Sequence, residues 1–478
     1  MSLTKISYSM IKGDVLNVLD FGAIGDGITD DTAAIQAAIN SGIANDKAVF
    51  IPAGTYILAG VLTGGANLHL FGEGVGLTIL QKKTSSTGHI LDILGTTPKY
   101  NIDINNITFD CNLVDAGIYC EYINNAIFSN CEIKNTPFWG LVVGKNISTS
   151  STIVNNNVTI QNCVFDNNTQ TYEHVLVFNS ENVLVDNCYF KTAANGIGVG
   201  LYQWTTNVTV SNCYFTDLNK AVYYSVTCNN TKFINCTFKH NKEGVQGGNE
   251  SDNGLFGISH VYNITFDTCY FEDIYDASYA LQLGRTNGAI VNNCTFYNNY
   301  GSGILINDRG IGTAAGAPSI NTTISNSVFR NNTAINASSI NYPSIHFQTS
   351  SAALYTLISN CLIYDDRATP FSLYPIVFEG AVTISDVNIV NSRLSAYSSA
   401  QSVAINGATI GSNVWLIDCQ NTTNAIGVGI RRKMFGTGTP EAAVTAGIGS
   451  TFNRTDGGAS TSIYIKESGT GNTGWVAK

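Results

Sequence analysis

A short segment that recurs along most of the chain limits the folds open to this sequence more than any other feature. One copy reads Val208-Thr-Val-Ser-Asn-Cys-Tyr-Phe215, and another reads Val183-Leu-Val-Asp-Asn-Cys-Tyr-Phe190. The cysteine position returns at intervals of 23 to 34 residues, a spacing typical of repeats that stack on one another. Twelve copies align on this position, at Ile107, Cys131, Cys163, Cys188, Cys213, Cys236, Cys269, Cys294, Ser327, Cys361, Ser392 and Cys419.

The pattern inside each copy predicts the fold class. Apolar and polar residues alternate, as in a β-strand with one buried face. Asn precedes the cysteine position in ten of the twelve copies, with Thr268 and Asp418 as the exceptions. Asn tolerates left-handed backbone, so it can turn a strand through a corner and hydrogen-bond to the next copy. With the usual right-handed crossover, the sequence predicts an all-β fold, a right-handed single-stranded parallel β-helix.

The cysteines are explained by the same pattern. Nine of the twelve occupy the repeated position, two residues before a Phe in most copies, so they are expected to stack inside the β-helix as small apolar side chains. A chain with so large a core does not need cross-links, and we expect free thiols without a disulfide framework. The sequence contains no CxxC pair of the kind that binds zinc, and it predicts neither a metal nor another cofactor.

Charge and hydropathy exclude several classes of partner. The formal net charge is −10, whereas a protein that binds nucleic acid needs a basic surface. No apolar run approaches the ~18 residues of a transmembrane helix, so no membrane insertion is expected. The first residues lack the apolar core of a signal peptide, which predicts synthesis in the host cytoplasm without one. The abundant Asn, Ser, Thr, Gly and Tyr suit hydrogen bonding to sugars.

The most specific motif precedes the repeats and predicts a short helix over about 31–41, which Thr29 or Asp30 can cap. Its buried stripe is expected to contain Ala34, Ile35, Ala38 and Ile39. The motif consists of Asp20-Phe-Gly-Ala23, Gly25-Asp-Gly27, Thr29-Asp-Asp-Thr-Ala-Ala-Ile-Gln-Ala-Ala-Ile39 and Ile51-Pro-Ala-Gly-Thr-Tyr56.

This segment closely resembles the opening of the pectate-lyase-like superfamily, in the version found on bacteriophage tailspikes. The resemblance implies that the helix caps the N-terminal end of the β-helix. It also implies a homotrimer in the virion tail, attached to the phage tail or baseplate through its N-terminus and acting outside the cell. We expect an N-terminal arm over 1–14, a capping segment over 15–60, the parallel β-helix over 61–430 and a C-terminal β-rich module over 431–478.

A second family of predicted strands lies between the repeated segments and supplies the candidate site. The outward-facing positions of these strands are polar, and the longest intervals between repeats lie beside them. Glycoside cleavage usually needs two carboxyl groups about 5 to 9.5 Å apart. Strands in neighbouring turns are about 4.8 Å apart, so Asp308 and Glu379 are predicted as catalytic residues, with His346 between them. The residues predicted to bind the substrate are Gln246, Gln282, Arg285, Asn307, Arg309, Gln348 and Tyr223.

The resemblance implies a phage tailspike-type protein, and together with these polar residues it favours one that binds and depolymerises a bacterial surface polysaccharide. Hydrolysis is favoured over elimination because acids outnumber well-placed bases. A lyase would instead use His346 as its base, with Arg285 or Arg309 neutralising a uronate. One alternative is a tail adhesin that binds glycan without cutting it. Another is a cellular β-helix carbohydrate enzyme, such as a lyase, an epimerase or a fructan transferase.

Overall fold

The chain folds into parallel β-strands stacked in successive turns, which confirms the predicted parallel β-helix. The structure divides into two compact units, Met1–Cys236 and Thr237–Lys478, called here the N-terminal and the C-terminal unit. The predicted arm over 1–14 lies outside the described residues. The computed structural model describes residues 15–144, 155–169, 172–225, 227–249, 261–276, 279–307, 319–332, 342–348, 353–367, 374–380, 383–395, 403–406, 408–421 and 430–478.

Each unit contains three families of strands, named by their place in the repeat. Sheet I strands end before the corner residue, sheet II strands begin after the cysteine position, and sheet III strands are the second family. Within each family, neighbours pair in parallel and in register, as in Phe165 with Phe190 and Phe190 with Phe215.

In the N-terminal unit, two long strands run through sheets II and III, Tyr189–Leu201 and Tyr214–Ser225. Sheet I contains Val15–Asn17, Ala48–Ile51, His69–Gly72, Lys99–Asn105, Ile123–Ser129, Asn155–Gln161, Ser180–Asp186, Thr206–Ser211 and Thr231–Ile234. Sheet II begins with Asp26–Asp30, Gly54–Leu58, Thr78–Lys82, Thr108–Asp110, Glu132–Lys134 and Val164–Asp166. Sheet III begins with Leu62–Thr63, Leu91–Ile93, Ile118–Cys120, Leu141–Val143 and Glu173–Val177.

In the C-terminal unit, Val261–Tyr262 and Thr286–Asn287 form a separate two-stranded pair, and Thr409–Ile410 pairs with the start of Thr383–Val390. Sheet I contains Ile264–Asp267, Ile290–Asn292, Thr323–Ser325, Ala353–Ser359, Thr383–Val390, Val414–Ile417, Arg431–Gly436 and Thr451–Arg454. Sheet II contains Thr237–Lys239, Tyr270–Glu272, Thr295–Tyr297, Val328–Arg330, Leu362–Tyr364, Arg393–Leu394 and Gln420–Asn421. Sheet III contains Glu243–Asn249, Tyr279–Gly284, Ser302–Asn307, Ile345–Gln348, Ile376–Glu379 and Val403–Asn406.

The N-terminal motif folds into a 3₁₀ turn, Val18–Phe21, and an α-helix, Thr32–Asn45, which is longer than predicted at its C-terminal end. The helix buries Ile35, Ala38, Ile39 and Gly42, whereas the predicted Ala34 is only half-buried. Asp30 Oδ1 accepts hydrogen bonds from the backbone and the hydroxyl group of Thr32, at 3.1 and 2.6 Å. The N-cap residue is nevertheless Asp31, whose side chain makes no capping hydrogen bond, so the prediction of Thr29 or Asp30 as the cap is wrong.

The C-terminal end continues sheet I before it changes direction. Arg431–Gly436 pairs in parallel with Val414–Ile417, so three consecutive cationic residues, Arg431, Arg432 and Lys433, lie in a strand. Two antiparallel strands follow, Ile463–Lys466 and Trp475–Ala477. A small separate core of Ala446, Phe452, Tyr464 and Trp475 holds this end together.

The core of each unit is built from columns of identical side chains. Phe165, Phe190 and Phe215 are fully buried and stack nearly parallel, with ring centroids 4.9 and 4.7 Å apart. Phe271, Phe296 and Phe329 repeat this column in the C-terminal unit, at 4.7 Å. The centroid spacing equals the distance between neighbouring strands, so every turn places its Phe directly on the previous one.

The corner residues have the predicted backbone conformation. All twelve residues before the repeated position, Thr268 and Asp418 included, have φ between 45° and 59°. Asn212 Nδ2 donates to Asp186 Oδ1 at 2.8 Å, and Asn212 Oδ1 accepts from Asn235 Nδ2 at 2.8 Å. The corners therefore carry a ladder of side-chain hydrogen bonds along the stacked turns.

Asn212→Ala is expected to lower the free energy of unfolding by about 2 kcal/mol, since it loses ladder hydrogen bonds and forces Ala into left-handed backbone. Asn212→Gly keeps the backbone conformation accessible and should cost less. Chemical denaturation of the two variants measures the difference. Equal losses in both would show that the backbone conformation contributes nothing at this corner.

All twelve cysteines are free, and eleven of them are buried. Burial raises the pKa of the Cys361 thiol to about 11, which keeps it protonated and unreactive near neutral pH. Native labelling with iodoacetamide should therefore be confined to the half-buried Cys419, whereas the denatured chain should react at every cysteine. Mass spectrometry of the labelled peptides tests this, and rapid native labelling of Cys213 would contradict it.

Candidate active site

Sheet III of the C-terminal unit aligns the predicted residues in two neighbouring rows. Strand pairing places Gln282 beside Leu305 and Leu305 beside His346. The next outward row contains Asn307, Gln348 and Glu379, again in successive turns. Residues between the rows, such as Phe347, point into the core and are fully buried. The alternation that predicts a strand thus also brings these polar side chains to one face.

The central feature of this face is a contact between two of the predicted catalytic residues. His346 Nε2 lies 2.7 Å from Glu379 Oε2. The His346 side chain is 9% exposed and that of Glu379 is 35% exposed, so the carboxyl group is the more accessible of the two. Asn406 Nδ2 approaches the other carboxyl oxygen, Oε1, at 3.5 Å. His346 and Glu379 therefore form a pair joined by a short hydrogen bond.

The protonation state of His346 follows from its surroundings. Burial lowers the pKa of His346, although its hydrogen bond to Glu379 and the charge there act in the opposite direction. The ring is therefore neutral at pH 7. Because the carboxylate accepts the bond, Nε2 carries the proton and the lone pair of the ring is on Nδ1. The pair can thus exchange a proton with a substrate near neutral pH.

Amide side chains surround the pair on the same face. Gln282 Nε2 donates to Asn307 Oδ1 at 3.2 Å, and both residues are 5% exposed. Gln246, on the preceding strand, donates from Nε2 to the Tyr279 hydroxyl group at 3.0 Å. Gln348 is half-buried between Asn307 and Glu379. These groups offer hydrogen-bond donors and acceptors without adding charge.

Other predicted site residues are placed differently. Arg285 is 2% exposed and follows the strand Tyr279–Gly284 with a φ of 50°, so it is part of a buried corner. Tyr223 belongs to the N-terminal unit, where it is 6% exposed. Asp308 and Arg309 lie outside the described residues. The roles of all four stay predictions.

Sequence reasoning missed one buried carboxyl group, Glu173 in the N-terminal unit, which is 6% exposed. Alternation along the strand Glu173–Val177 gives no hint of it, because all five residues are buried. An aromatic residue, Tyr172, directly precedes Glu173 in the sequence, and this neighbour is the signal that could have pointed to an aromatic environment for the carboxyl group.

Two further features are absent from the described parts of the chain. There, no three His, Cys, Asp or Glu side chains are arranged to hold a metal ion. Within the same residues, no helix has the length and apolar character to cross a membrane.

Residues 15–246 match the family model of rhamnogalacturonase A/epimerase, pectate lyase-like proteins. Shorter segments resemble mannuronan C5-epimerases of Azotobacter vinelandii. The similarity to AlgE1 is 36% identity over 107 residues, 20% of this chain and 8% of AlgE1. The similarity to AlgE2 is 47% identity over 73 residues, 14% of this chain and 7% of AlgE2. The chain thus spans less than a tenth of the length of these two relatives.

Several solved structures share the fold. The N-terminal fragment of bacteriophage phi29 gene product 12 superposes with a TM-score of 0.66 at 15% identity, covering 88% of this chain and 75% of that one. A tailspike of E. coli bacteriophage HK620, solved with a pentasaccharide, gives 0.60 at 14% identity, covering 82% and 78%. The A-module of AlgE4 from Azotobacter vinelandii gives 0.54 at 18% identity, covering 83% and 97%.

At these identities the structural likeness shows the fold alone, and the likeness to the family rests on the matched segment. Residues 15–246 thus match the pectate-lyase-like family model, and the chain has the parallel β-helix fold of its phage tailspike and epimerase neighbours.

Proposed function

We propose that this chain is a tailspike-type protein that binds and depolymerises a bacterial surface polysaccharide, with His346 and Glu379 at its active site. The observation that carries the proposal is the 2.7 Å contact between His346 Nε2 and Glu379 Oε2 on a face lined with amides. The fold adds support, because the HK620 tailspike was solved with a pentasaccharide and the AlgE relatives are mannuronan epimerases. A polar face lined with amide side chains suits the hydroxyl groups of a glycan.

Hydrolysis is the reaction that we favour. Glu379 accepts a hydrogen bond from His346, which suits an ionised carboxylate that activates water. The register places Asn307 two turns from Glu379, about 9.6 Å by strand spacing. Asp308 follows Asn307 directly in the sequence and is proposed as the general acid. Inverting glycosidases leave room for a water molecule between their two carboxyl groups, and inversion at the anomeric carbon is the outcome that we propose for Glu379 and Asp308.

Elimination is the second candidate, and the neutral state of His346 favours it. A neutral imidazole can abstract the proton next to the carboxyl group of a uronate, as in a polysaccharide lyase. Glu379 would then hold the ring and stabilise the imidazolium ion that forms. This route applies only to an anionic glycan that carries uronate units.

The purified chain should be incubated with capsule and O-antigen polysaccharides from a panel of bacterial strains. Hydrolysis releases oligosaccharides without new ultraviolet absorbance, whereas elimination releases unsaturated uronates that absorb. Binding without any release of oligosaccharides would contradict the proposal and leave a non-catalytic adhesin.

We also propose that the chain acts as a homotrimer in the virion tail, attached through its N-terminus. The resemblance of residues 17–58 to tailspike openings supports this, together with the fold shared with phage tail proteins. Light scattering of the purified chain tests the trimer, and a monomer at micromolar concentration would contradict it.

A further inference from the structure

The N-terminal unit contains a buried carboxyl group that the proposed active site does not use. Both oxygens of Glu173 accept hydrogen bonds from aromatic side chains. The Tyr202 hydroxyl group donates to Oε1 at 2.6 Å, and Trp139 Nε1 donates to Oε2 at 3.1 Å. Trp139, Glu173 and Tyr202 come from three successive turns of sheet III. One carboxyl group therefore fixes two rings across neighbouring turns.

This arrangement depends on Gly200, which lies beside Leu176 in the sheet. A Cβ atom at residue 200 would come within 2.6 Å of Glu173 Cγ and within 2.6 Å of Tyr202 Cε2. Glu173 and Tyr202 thus occupy the space that a side chain at residue 200 would fill. In the next turn the residue that pairs with Gly200 is Tyr223, so the space filled by Glu173 and Tyr202 exists only beside Gly200 in this pair of turns.

Further rings extend the arrangement on both sides of the carboxyl group. Tyr172 packs against Phe138 and Trp139, with centroids 5.2 and 5.1 Å apart, and Tyr202 packs against Tyr223 at 5.1 Å. Phe138 is 36% exposed, whereas Glu173 is 6% exposed. One exposed ring thus packs against half-buried rings, two of which hydrogen-bond to or pack beside a donor to the buried carboxyl group. We call this set the aromatic cluster: Phe138, Trp139, Tyr172, Tyr202 and Tyr223.

The chemistry of the aromatic cluster fits an uncharged sugar ring. Aromatic faces pack against the apolar C–H face of a pyranose, while phenol and indole groups hydrogen-bond at its edge. Burial raises the pKa of Glu173, against the two hydrogen bonds that lower it. A carboxyl group held in so little water disfavours a second negative charge nearby, so an anionic sugar is the poorer ligand.

The family match points to the same part of the chain. It covers residues 15–246 and so includes the whole aromatic cluster, whereas His346 and Glu379 lie beyond it. We propose that the aromatic cluster is a separate glycan-binding site for uncharged pyranose units, in which Glu173 positions Trp139 and Tyr202. The site does not require catalysis by His346 and Glu379.

The full-length chain should be titrated with short neutral oligosaccharides prepared from bacterial surface polysaccharides, following tryptophan fluorescence and heat. Phe138→Ala and Gly200→Ala are each expected to weaken binding about tenfold, the first by removing a ring and the second by displacing Glu173 and the Tyr202 ring. Glu173→Ala should weaken binding similarly, and Glu173→Gln should restore most of it because Gln keeps the shape and a neutral acceptor. Rescue by Gln is a result that a charged ligand-binding carboxylate would not give.

Tyr214→Ala is the matched control, and it should bind like the wild type. Tyr214 and Tyr189 form an exposed pair in the same unit, with ring centroids 5.3 Å apart, and neither belongs to the aromatic cluster. His346→Ala should also bind normally, which separates this site from the proposed active site. The proposal is overturned if no neutral oligosaccharide binds, if Phe138→Ala binds normally, or if His346→Ala abolishes binding.

Discussion

Replacing Glu379 by Gln is expected to slow polysaccharide cleavage by about a hundredfold or more, because the change removes one member of a proton-transfer pair. His346→Gln should have a comparable effect, since the two groups act through one 2.7 Å contact. The double variant should be no slower than the slower single variant, as expected for residues that act as a unit. Initial rates of oligosaccharide release, at saturating and at low polysaccharide, measure these effects.

The C-terminal unit offers a matched control for this prediction. His240 Nδ1 lies 2.7 Å from Asp273 Oδ2, the same separation, but both side chains are about half exposed, at 55% and 43%. Asp273→Asn should leave cleavage unchanged, because water screens an exposed pair. If Glu379→Gln cleaved the polysaccharide as fast as the wild type, the proposal that His346 and Glu379 form the active site would be wrong.

The pH dependence of cleavage gives a second readout of the same pair. Burial lowers the pKa of His346 below 6.5. If His346 acts as a base, cleavage should therefore continue below pH 6.5 and should decline only when the ring takes up a proton. Glu379 raises that pKa through its charge and hydrogen bond. In Glu379→Gln the acidic limb of the residual activity should therefore move to lower pH. A purely structural role for Glu379 would reduce activity without moving the limb.

The fold was predictable because one repeated pattern specifies it many times. Alternation fixes which side chains face the core, and Asn212 and its equivalents fix the corners, so each turn independently indicates the same structure. The helix boundary was predicted less well. Its last turn, up to Asn45, is decided by an Asp46 in left-handed conformation, which a local propensity argument does not identify.

The candidate site was predictable only where strand register decides it. Counting outward positions places His346 and Glu379 on one face in neighbouring turns, because alternate residues of a strand share a face. The register pairs His346 with Val377 and Glu379 with Gln348, so the contact between His346 and Glu379 is diagonal and depends on side-chain conformation. The same counting cannot see Glu173, whose side chain occupies the space left by Gly200, a residue from another turn. It also could not foresee the burial of Arg285, which depends on the corner that follows its strand.

Acidification from pH 6.5 to pH 4 is expected to destabilise the N-terminal unit by about 3 kcal/mol through His174 alone. His174 is fully buried near Phe165 and Phe190, with ring centroids 6.1 and 6.4 Å away. Its Nε2 donates to the carbonyl oxygen of Lys191 at 3.1 Å, and within the described residues Nδ1 has no hydrogen-bond partner. Protonation would place a charge on that buried nitrogen.

The direction follows from the two states of the chain. Burial lowers the pKa of His174 from 6.5 to about 4 in the folded state, so the unfolded chain takes up the proton first as the pH falls. The stability is complete above pH 6.5 and is lost progressively toward pH 4. Denaturant unfolding at several pH values should show this loss in the wild type, in addition to the titration of other groups.

His174→Leu removes the titrating group, so its unfolding free energy should depend less on pH across this window, by about 3 kcal/mol. The variant is expected to be less stable than the wild type at pH 7, since the Lys191 carbonyl loses its donor, and to approach or exceed it at pH 4. His240→Gln, at an exposed position, should follow the wild-type curve. Parallel curves for His174→Leu and the wild type would show that His174 is not held neutral by the fold.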